Sequence, residues 1–466
     1  MAIDRDVLVA VSTTPNTSQE PSVITLANVD ASKYKETSFT HFPNYSNVID
    51  IDASIHAWEN YFKCGYKGIH EDLQTSDPTQ TQPHLNVMIS GNVPAGAGLS
   101  SSSAFVCASA VAVAKSMNAK FDKQSLTQTA IRAERYAGVQ TGGMDQSISI
   151  MASPSSALLI QFHPAPLRAS LVLIPVVGGR GYKFVVANSL ITADKHVTAA
   201  RNYNLRVVET RVAASLLGTW VLGVHEGNGV FKGIETLRDV VDLYVGQQQK
   251  TGGLASGAGV VGTEGVPYIT ALKNLEALSE VVFCDEAYSC DNVVLALQKH
   301  FGNGQFKDWK DVETVFCEGI NGVYLEGGLA LKKRVRHVFS EARRVVEFTQ
   351  ACALKAPFYK GKDVLEDLGN LMNDSQGSCA KDFNCSCPEL DELTVLCRES
   401  GAVGSRLTGA GWGGCTVSLV PEELVESFIE KVTNGYYAKR EKDLRNIGDW
   451  LFATTPGVGA VVFDKF

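Results

Sequence analysis

Residues 85–114, LNVMISGNVPAGAGLSSSSAFVCASAVAVA, constrain the fold more than any other stretch of the chain. The alternation of LNVMIS reads as a strand. A loop follows with Pro94, Gly96 and Gly98, then four serines, then a run from Ala104 to Ala114 that is apolar nearly all round. A helix without a polar face must be buried, so the loop before it is mounted on a rigid support. Serine is a poor helix former and glycine costs backbone entropy, so their concentration here needs a local reason. Two readings stay open: a tight loop whose serines cap the helix, or a cradle whose N–H groups and helix N-terminus take up a phosphate. In the second, a hydroxyl can also meet the phosphate's magnesium. The loop is not G-x-x-x-x-G-K-[ST], because no lysine occurs in 91–114, nor G-x-G-x-x-G, because a third glycine is lacking.

A chain of 466 residues exceeds what one compact core usually organises, so two domains are expected, 1–190 and 191–466. Strands and helices mix in both halves, which predicts an α+β protein. Helices are expected over 54–69, 101–117, 125–138, 144–152, 195–217, 270–300, 323–351 and 362–376, and strands at 416–420 and 459–466 near the end. The glycine-rich segment 249–266 reads as an exposed loop inside the second domain. A net charge of −8 without a basic run argues against nucleic acid or an anionic membrane as partner. The longest apolar stretches are too short to span a bilayer, and MAIDRDVLVAV lacks a signal-peptide layout. Eleven scattered cysteines fit reduced thiols, and the expected location is cytoplasmic. Cys379, Cys385 and Cys387 lack the second ligand pair that a zinc site normally has, and read as a structural thiol cluster.

Two further segments can carry chemistry. GSRLTGAGWGGC (404–415) places Gly409, Gly411, Gly413 and Gly414 in six residues, which opens backbone conformations closed to other residues. It is equally compatible with an ordinary turn into a strand. RAERYAGVQTGGMDQSISI (132–150) places Asp145 in the first turn of a helix, where the dipole favours an ionised carboxylate. A plain helix cap is the alternative. Glu134 is either a solvated charge or, with a serine, part of a magnesium site.

PAGAGLSSSSA resembles the phosphate-binding motif of the GHMP small-molecule kinases, and AERYAGVQTGGMDQ with SRLTGAGWGGC resembles the galactokinases among them. NYNLRVVE (202–209), MNDSQGSCAKDFNCSCPELDEL (372–393) and WENYFKCG (58–65) are similar to the fungal galactokinase branch, which includes galactose-responsive transcription co-inducers. The resemblance implies a two-lobed α+β fold, with an N-terminal domain like that of ribosomal protein S5 (domain 2-like) and a ferredoxin-like C-terminal domain. It implies ATP and Mg2+ as cofactors and galactose as substrate. Pro94, Gly96, Gly98, Leu99, Ser100, Ser101, Ser102 and Ser103 would then wrap the ATP phosphates, with Trp58 and Tyr61 beside the adenine. Ser101, as one of the serines at 100–102, and Glu134 would hold magnesium. Asp145 would face the galactose C1 hydroxyl as the catalytic group, Gly143 and Tyr203 would line the sugar, and Gly409 and Gly411 would close over it. An R-x-N-L-I-G-E-H-x-D-Y-like stretch of the family, which supplies sugar contacts, is not found in the sequence. The expectation is therefore that the chain as written has little galactokinase activity. The other function left open is a non-catalytic galactose- and ATP-binding regulator partnered with a transcriptional repressor.

Overall fold

The computed structural model describes residues 1–16, 20–42, 49–55, 57–76, 82–94, 96–138, 142–163, 167–176, 181–192, 198, 200–223, 234–250, 266–301, 304–320, 322–354 and 363–463. Most of the expected loop at 249–266 lies outside them. The chain forms two compact units, Met1–Pro175 with Phe452–Phe466, and Val176–Leu451. The division falls earlier than the one expected near 190. Its reason is pairing: the strand Tyr182–Asn188 lies antiparallel to Cys415–Pro421, far along the chain, and so belongs to the second unit.

In the first unit, β1 (Val7–Thr14), β2 (Ser22–Asn28), β3 (Thr37–His41) and β4 (His84–Gly91) form a sheet in the order β1-β4-β2-β3. β4 is antiparallel to β1 and parallel to β2. Leu85, Val87 and Ile89 point into the core while Asn86 and Met88 face out, the period-two pattern of a half-buried strand. α1 (Glu59–Ser76), α2 (Ser101–Ser116), α3 (Lys123–Glu134) and α4 (Met144–Met151) complete the layer, followed by the hairpin β5 (Ser156–Gln161) and β6 (Arg168–Leu173). Small residues let α1 approach its neighbours closely. A Cβ on Gly65 would lie 2.7 Å from the Ala110 nitrogen, and one on Gly68 would lie 2.8 Å from the Ala133 Cβ. Val106, Ala110 and Val113 of α2 are buried against Phe62, Tyr66 and Ile69 of α1, which gives the serine loop its support.

The second unit contains β7 (Tyr182–Asn188), α5 (Tyr203–Val221), α6 (Leu237–Lys250), α7 (Val266–Val282), α8 (Cys290–Phe301), α9 (Trp309–Phe316), α10 (Leu331–Cys352), α11 (Val364–Ser378), α12 (Pro388–Glu399), β8 (Gly404–Leu407), β9 (Cys415–Pro421), α13 (Val425–Gly435) and α14 (Ile447–Trp450), and β10 (Leu451–Thr454) begins at its last residue. The strands follow the order β10-β7-β9-β8, and α5 to α10 share a separate apolar core. The helical stretch expected over 270–300 divides into α7 and α8. The strand expected at 459–466 does not form among its described residues. There the Gly459 and Ala460 N–H groups bond to the Ala152 and Ser149 carbonyls instead of to a neighbouring strand. Among the described residues, no helix is long and apolar enough to cross a membrane. None of the eleven cysteines, all of them among the described residues, forms a disulfide.

Candidate functional site

The loop before α2 turns on three left-handed residues: Gly96 (φ 72°), Gly98 (φ 71°) and Ser100 (φ 59°). For the two glycines this conformation carries no steric cost, whereas a serine adopts it only when its surroundings hold it there. Pro94, Leu99, Ser100, Ser101 and Ser102 are half-buried, and Gly96 and Gly98 are exposed. Ser100 makes no side-chain cap to α2, which removes the simplest capping explanation for the serine run.

Ser103 is the serine that meets a carboxylate. Its hydroxyl donates to Glu134 Oε2 at 2.7 Å. Successive helical residues are rotated by about 100°, so Ser101 and Ser103 point to nearly opposite faces. No hydrogen bond joins Ser101 to Glu134 among the described residues. Glu134, the last residue of α3, is buried rather than solvated. Its other partner is Gln146 on α4, whose Nε2 donates to Glu134 Oε2 and lies 3.3 Å from Ser103 Oγ. No basic side chain pairs with Glu134 among the described residues. Burial first, and the Glu134 charge second, push the Cys64 thiol up to about 12 and raise Tyr61. Burial likewise pushes Cys107 up, and both Glu134 and Asp145 add to the effect.

Asp145 sits half-buried in the first turn of α4, directly before Gln146. Gly143 begins that helix at φ 92°, and a Cβ there would lie 2.6 Å from Ile131 Cδ1. The left-handed conformation is what favours glycine there, since the end of the Ile131 side chain can turn aside. Trp58 and Tyr61 flank Phe105: the Trp58 and Phe105 rings are parallel within 8° at 6.3 Å, and Tyr61 lies 6.4 Å from Phe105. Gln146 and Phe105 were not singled out in the sequence, although each adjoins a quoted motif residue.

The second unit builds its own cluster. Gly409, Gly411, Trp412, Gly413 and Gly414 all have positive φ. A Cβ on Gly411 would overlap the Cys385 carbonyl oxygen. That same carbonyl accepts the Trp412 N–H at 2.7 Å, and the indole Nε1 donates to the Asn384 carbonyl at 3.0 Å. Tyr203 packs edge-on against Trp412 at 4.8 Å, so two of the expected sugar-lining elements, Tyr203 and the glycine loop, do meet. Beneath the loop, Glu209 pairs with Arg206 Nε at 2.6 Å and Arg334 Nε at 2.7 Å. Arg206 also donates to the Phe383 carbonyl at 3.0 Å, and Arg334 to that of Asp382. Arg206 and Glu209 belong to NYNLRVVE, but nothing in their spacing revealed Arg334 as their partner. Cys379 and Cys385 pack with Leu390 and Leu407. Among the described residues, no three His, Cys, Asp or Glu side chains are grouped to hold a metal.

The loop-and-carboxylate arrangement of the first unit and the glycine loop of the second fall within two matched family models. Residues 60–153 match the GHMP kinases N terminal domain, and residues 362–438 match GHMP kinases C terminal. The class is thus that of the GHMP kinases, with the α+β architecture described above. A galactokinase of Dictyostelium discoideum is 40% identical over 429 residues, which cover 89% of this chain and 76% of that one. The Saccharomyces cerevisiae galactokinase is 34% identical over 481 residues, covering 100% and 87%. The chain belongs to the galactokinase family. Lactococcus lactis galactokinase, solved in complex with galactose, matches 98% of this chain and 87% of its own with a TM-score of 0.58. At 19% identity that match speaks for the fold alone.

Proposed function

We propose that this chain transfers the γ-phosphoryl group of ATP to the C1 hydroxyl of galactose, giving galactose 1-phosphate, as a cytoplasmic enzyme. The substrate pair rests on the galactokinase relatives. The observation that carries the phosphoryl-transfer reading is Glu134, a buried carboxylate beside the serine loop with neutral donors only. A charge left in that state favours a cation.

The donor set fits magnesium, because a carboxylate and hydroxyls are hard oxygen ligands. Glu134 would hold the ion, with Ser103 rather than Ser101 as the serine closest to it in this fold. When bound, the ion neutralises charge on the transferring phosphate. The left-handed turn at Gly96, Gly98 and Ser100 lets backbone N–H groups face the phosphates, with Pro94, Leu99, Ser102 and the N-terminus of α2 around them. Trp58 and Tyr61, with Phe105, offer flat apolar faces to the adenine. Asp145 orients the sugar hydroxyl and accepts its proton, with Gly143 at the start of its helix, and Tyr203, Gly409 and Gly411 are the second unit's candidates for sugar contact. Phosphoryl transfer runs through a loose transition state, so alignment and charge stabilisation supply most of the acceleration. Nothing found favours the regulator reading or a repressor partner.

The test is a coupled assay of ADP release with identification of the product. ADP release that requires both galactose and a divalent cation, with galactose 1-phosphate formed, is expected, and its rate decides whether the little activity expected from the sequence holds. A chain that binds ATP and galactose yet transfers no phosphate between them overturns the proposal.

A further inference from the structure

Gln146 is completely buried, which is costly for an amide unless each bond it makes is needed. Its Nε2 donates to Glu134 Oε2 and approaches Ser103 Oγ at 3.3 Å, while Ser103 donates to the same Glu134 oxygen at 2.7 Å. Both neutral donors therefore converge on one carboxylate oxygen. Among the described residues Oε1 of Glu134 accepts no hydrogen bond. Two donors on one oxygen fix the plane of the carboxylate and leave the other oxygen as the available ligand. Gln146 also follows Asp145 in the same helical turn, so α4 carries both the proposed proton acceptor and the clamp on Glu134.

We propose that Gln146 is a positioning residue that selects Oε1 of Glu134 as the oxygen offered to a divalent cation. The inference rests on the cation site proposed above. An apolar side chain at 146 would free the carboxylate to rotate and would remove a donor that water cannot readily replace at a fully buried position. Loss of a partner that orients a metal ligand typically weakens metal affinity about tenfold to a hundredfold.

The experiment is an electron paramagnetic resonance titration of Mn2+ into the chain saturated with ADP, compared among wild type, Gln146→Leu and Glu134→Gln. Metal-free ADP affinity and the thermal midpoint are measured on each. Tighter Mn2+ binding in the wild type than in Gln146→Leu, by about ten- to a hundredfold, with metal-free ADP affinity unchanged, is the expected result. Should Gln146→Leu not fold, Gln146→Asn keeps an amide but shortens its reach, and the same weakening is expected. If Glu134→Gln weakens Mn2+ binding while the position-146 variant matches wild type, the clamp is wrong and the cation site stands. If Glu134→Gln leaves Mn2+ binding unchanged, the cation site itself fails, and the clamp with it. Metal-free ADP affinity falling as far as Mn2+ affinity would mark Gln146 as merely structural.

Discussion

Glu134 and Glu209 are equally buried helical carboxylates, the first ending α3 and the second inside α5, and their surroundings are opposite. Glu209 is flanked by the Arg206 and Arg334 guanidiniums and accepts the Ala330 N–H at 2.8 Å. Glu134 is met by a hydroxyl and an amide. Ionised carboxylates are expensive to bury without a counter-charge, and a pair of arginines removes most of that cost locally. The second unit has thus given its buried carboxylate a counter-charge, although burial still holds Arg206 down at about 10, and the arginines use other donors to hold the Asp382 and Phe383 carbonyls. The first unit has left its electrostatics open. A buried carboxylate can therefore be a structural tie or a ligand in waiting, and the charge of its partners separates the two.

The largest effect that would break this contrast is on stability. Glu209→Gln leaves Arg206 and Arg334 buried without their counter-charge and is expected to cost about 3–5 kcal/mol, read from urea unfolding. Glu134→Gln is expected to leave stability nearly unchanged or slightly higher, since it removes a charge that no basic group balances, while abolishing cation-dependent turnover. Equal destabilisation by both variants would show that the contrast has no energetic content. Next in size comes Asp145→Asn. Loss of a positioned proton acceptor should lower galactose-dependent kcat by about a hundredfold to ten-thousandfold, with the KM for ATP close to wild type. A matching rise in the ATP KM would move Asp145 from proton transfer to nucleotide binding.

These effects were unequally legible in the sequence. The serine loop, Asp145 and the glycine loop stood out because backbone freedom and helix starts leave local residue signatures. The strand-loop-helix order around residues 85–116 followed from the alternation of LNVMIS, the Gly, Pro and Ser residues after it and the apolar run behind them. The choice of Ser103 over Ser101 did not, because it depends on the rotational phase of α2 against α3. Arg334 was equally hidden, since its partnership with Glu209 is set by the packing of α10 on α5 across a long sequence gap. The strand expected at 459–466 failed for a related reason: its apolar residues suit a sheet, but its backbone is taken up by the end of α4.

A smaller test concerns the mounting of the serine loop. Gly65→Ala would drive a methyl to 2.7 Å from the backbone nitrogen of Ala110, within the helix that carries the serines. Backbone cannot move aside as a flexible side chain can, so a loss of about 1–3 kcal/mol is expected in urea unfolding. A larger proportional loss in turnover than Gly68→Ala causes would show that α2, specifically, supports the site.

The smallest expected effect, about 1–2 kcal/mol, lies in the same unit and depends on pH. His41 and His70 face each other at 4.6 Å between ring centroids, both buried, and His41 Nδ1 bonds to the Tyr66 hydroxyl at 2.8 Å. Neither ring nitrogen of His70 has a hydrogen-bond partner among the described residues. Burial holds His41 down at about 4, and burial together with His41 holds His70 well below its ordinary value. Unfolded histidines titrate near 6.5. Below that pH the unfolded chain takes up protons that the folded unit refuses, so stability is fully present above about 6.5 and is lost as pH falls toward 4. His70→Phe removes one of these proton sinks along with an unpaired polar ring, and is expected to raise stability by about 1–2 kcal/mol at pH 8. The gain should be greater at pH 5, because the variant no longer loses the His70 share of the titration. Other titrating groups are common to both chains and cancel in the difference between them. A gain that is the same at pH 8 and pH 5 would mean that His70 is protonated in the folded unit, and that this half of the protein holds a second open charge beside Glu134.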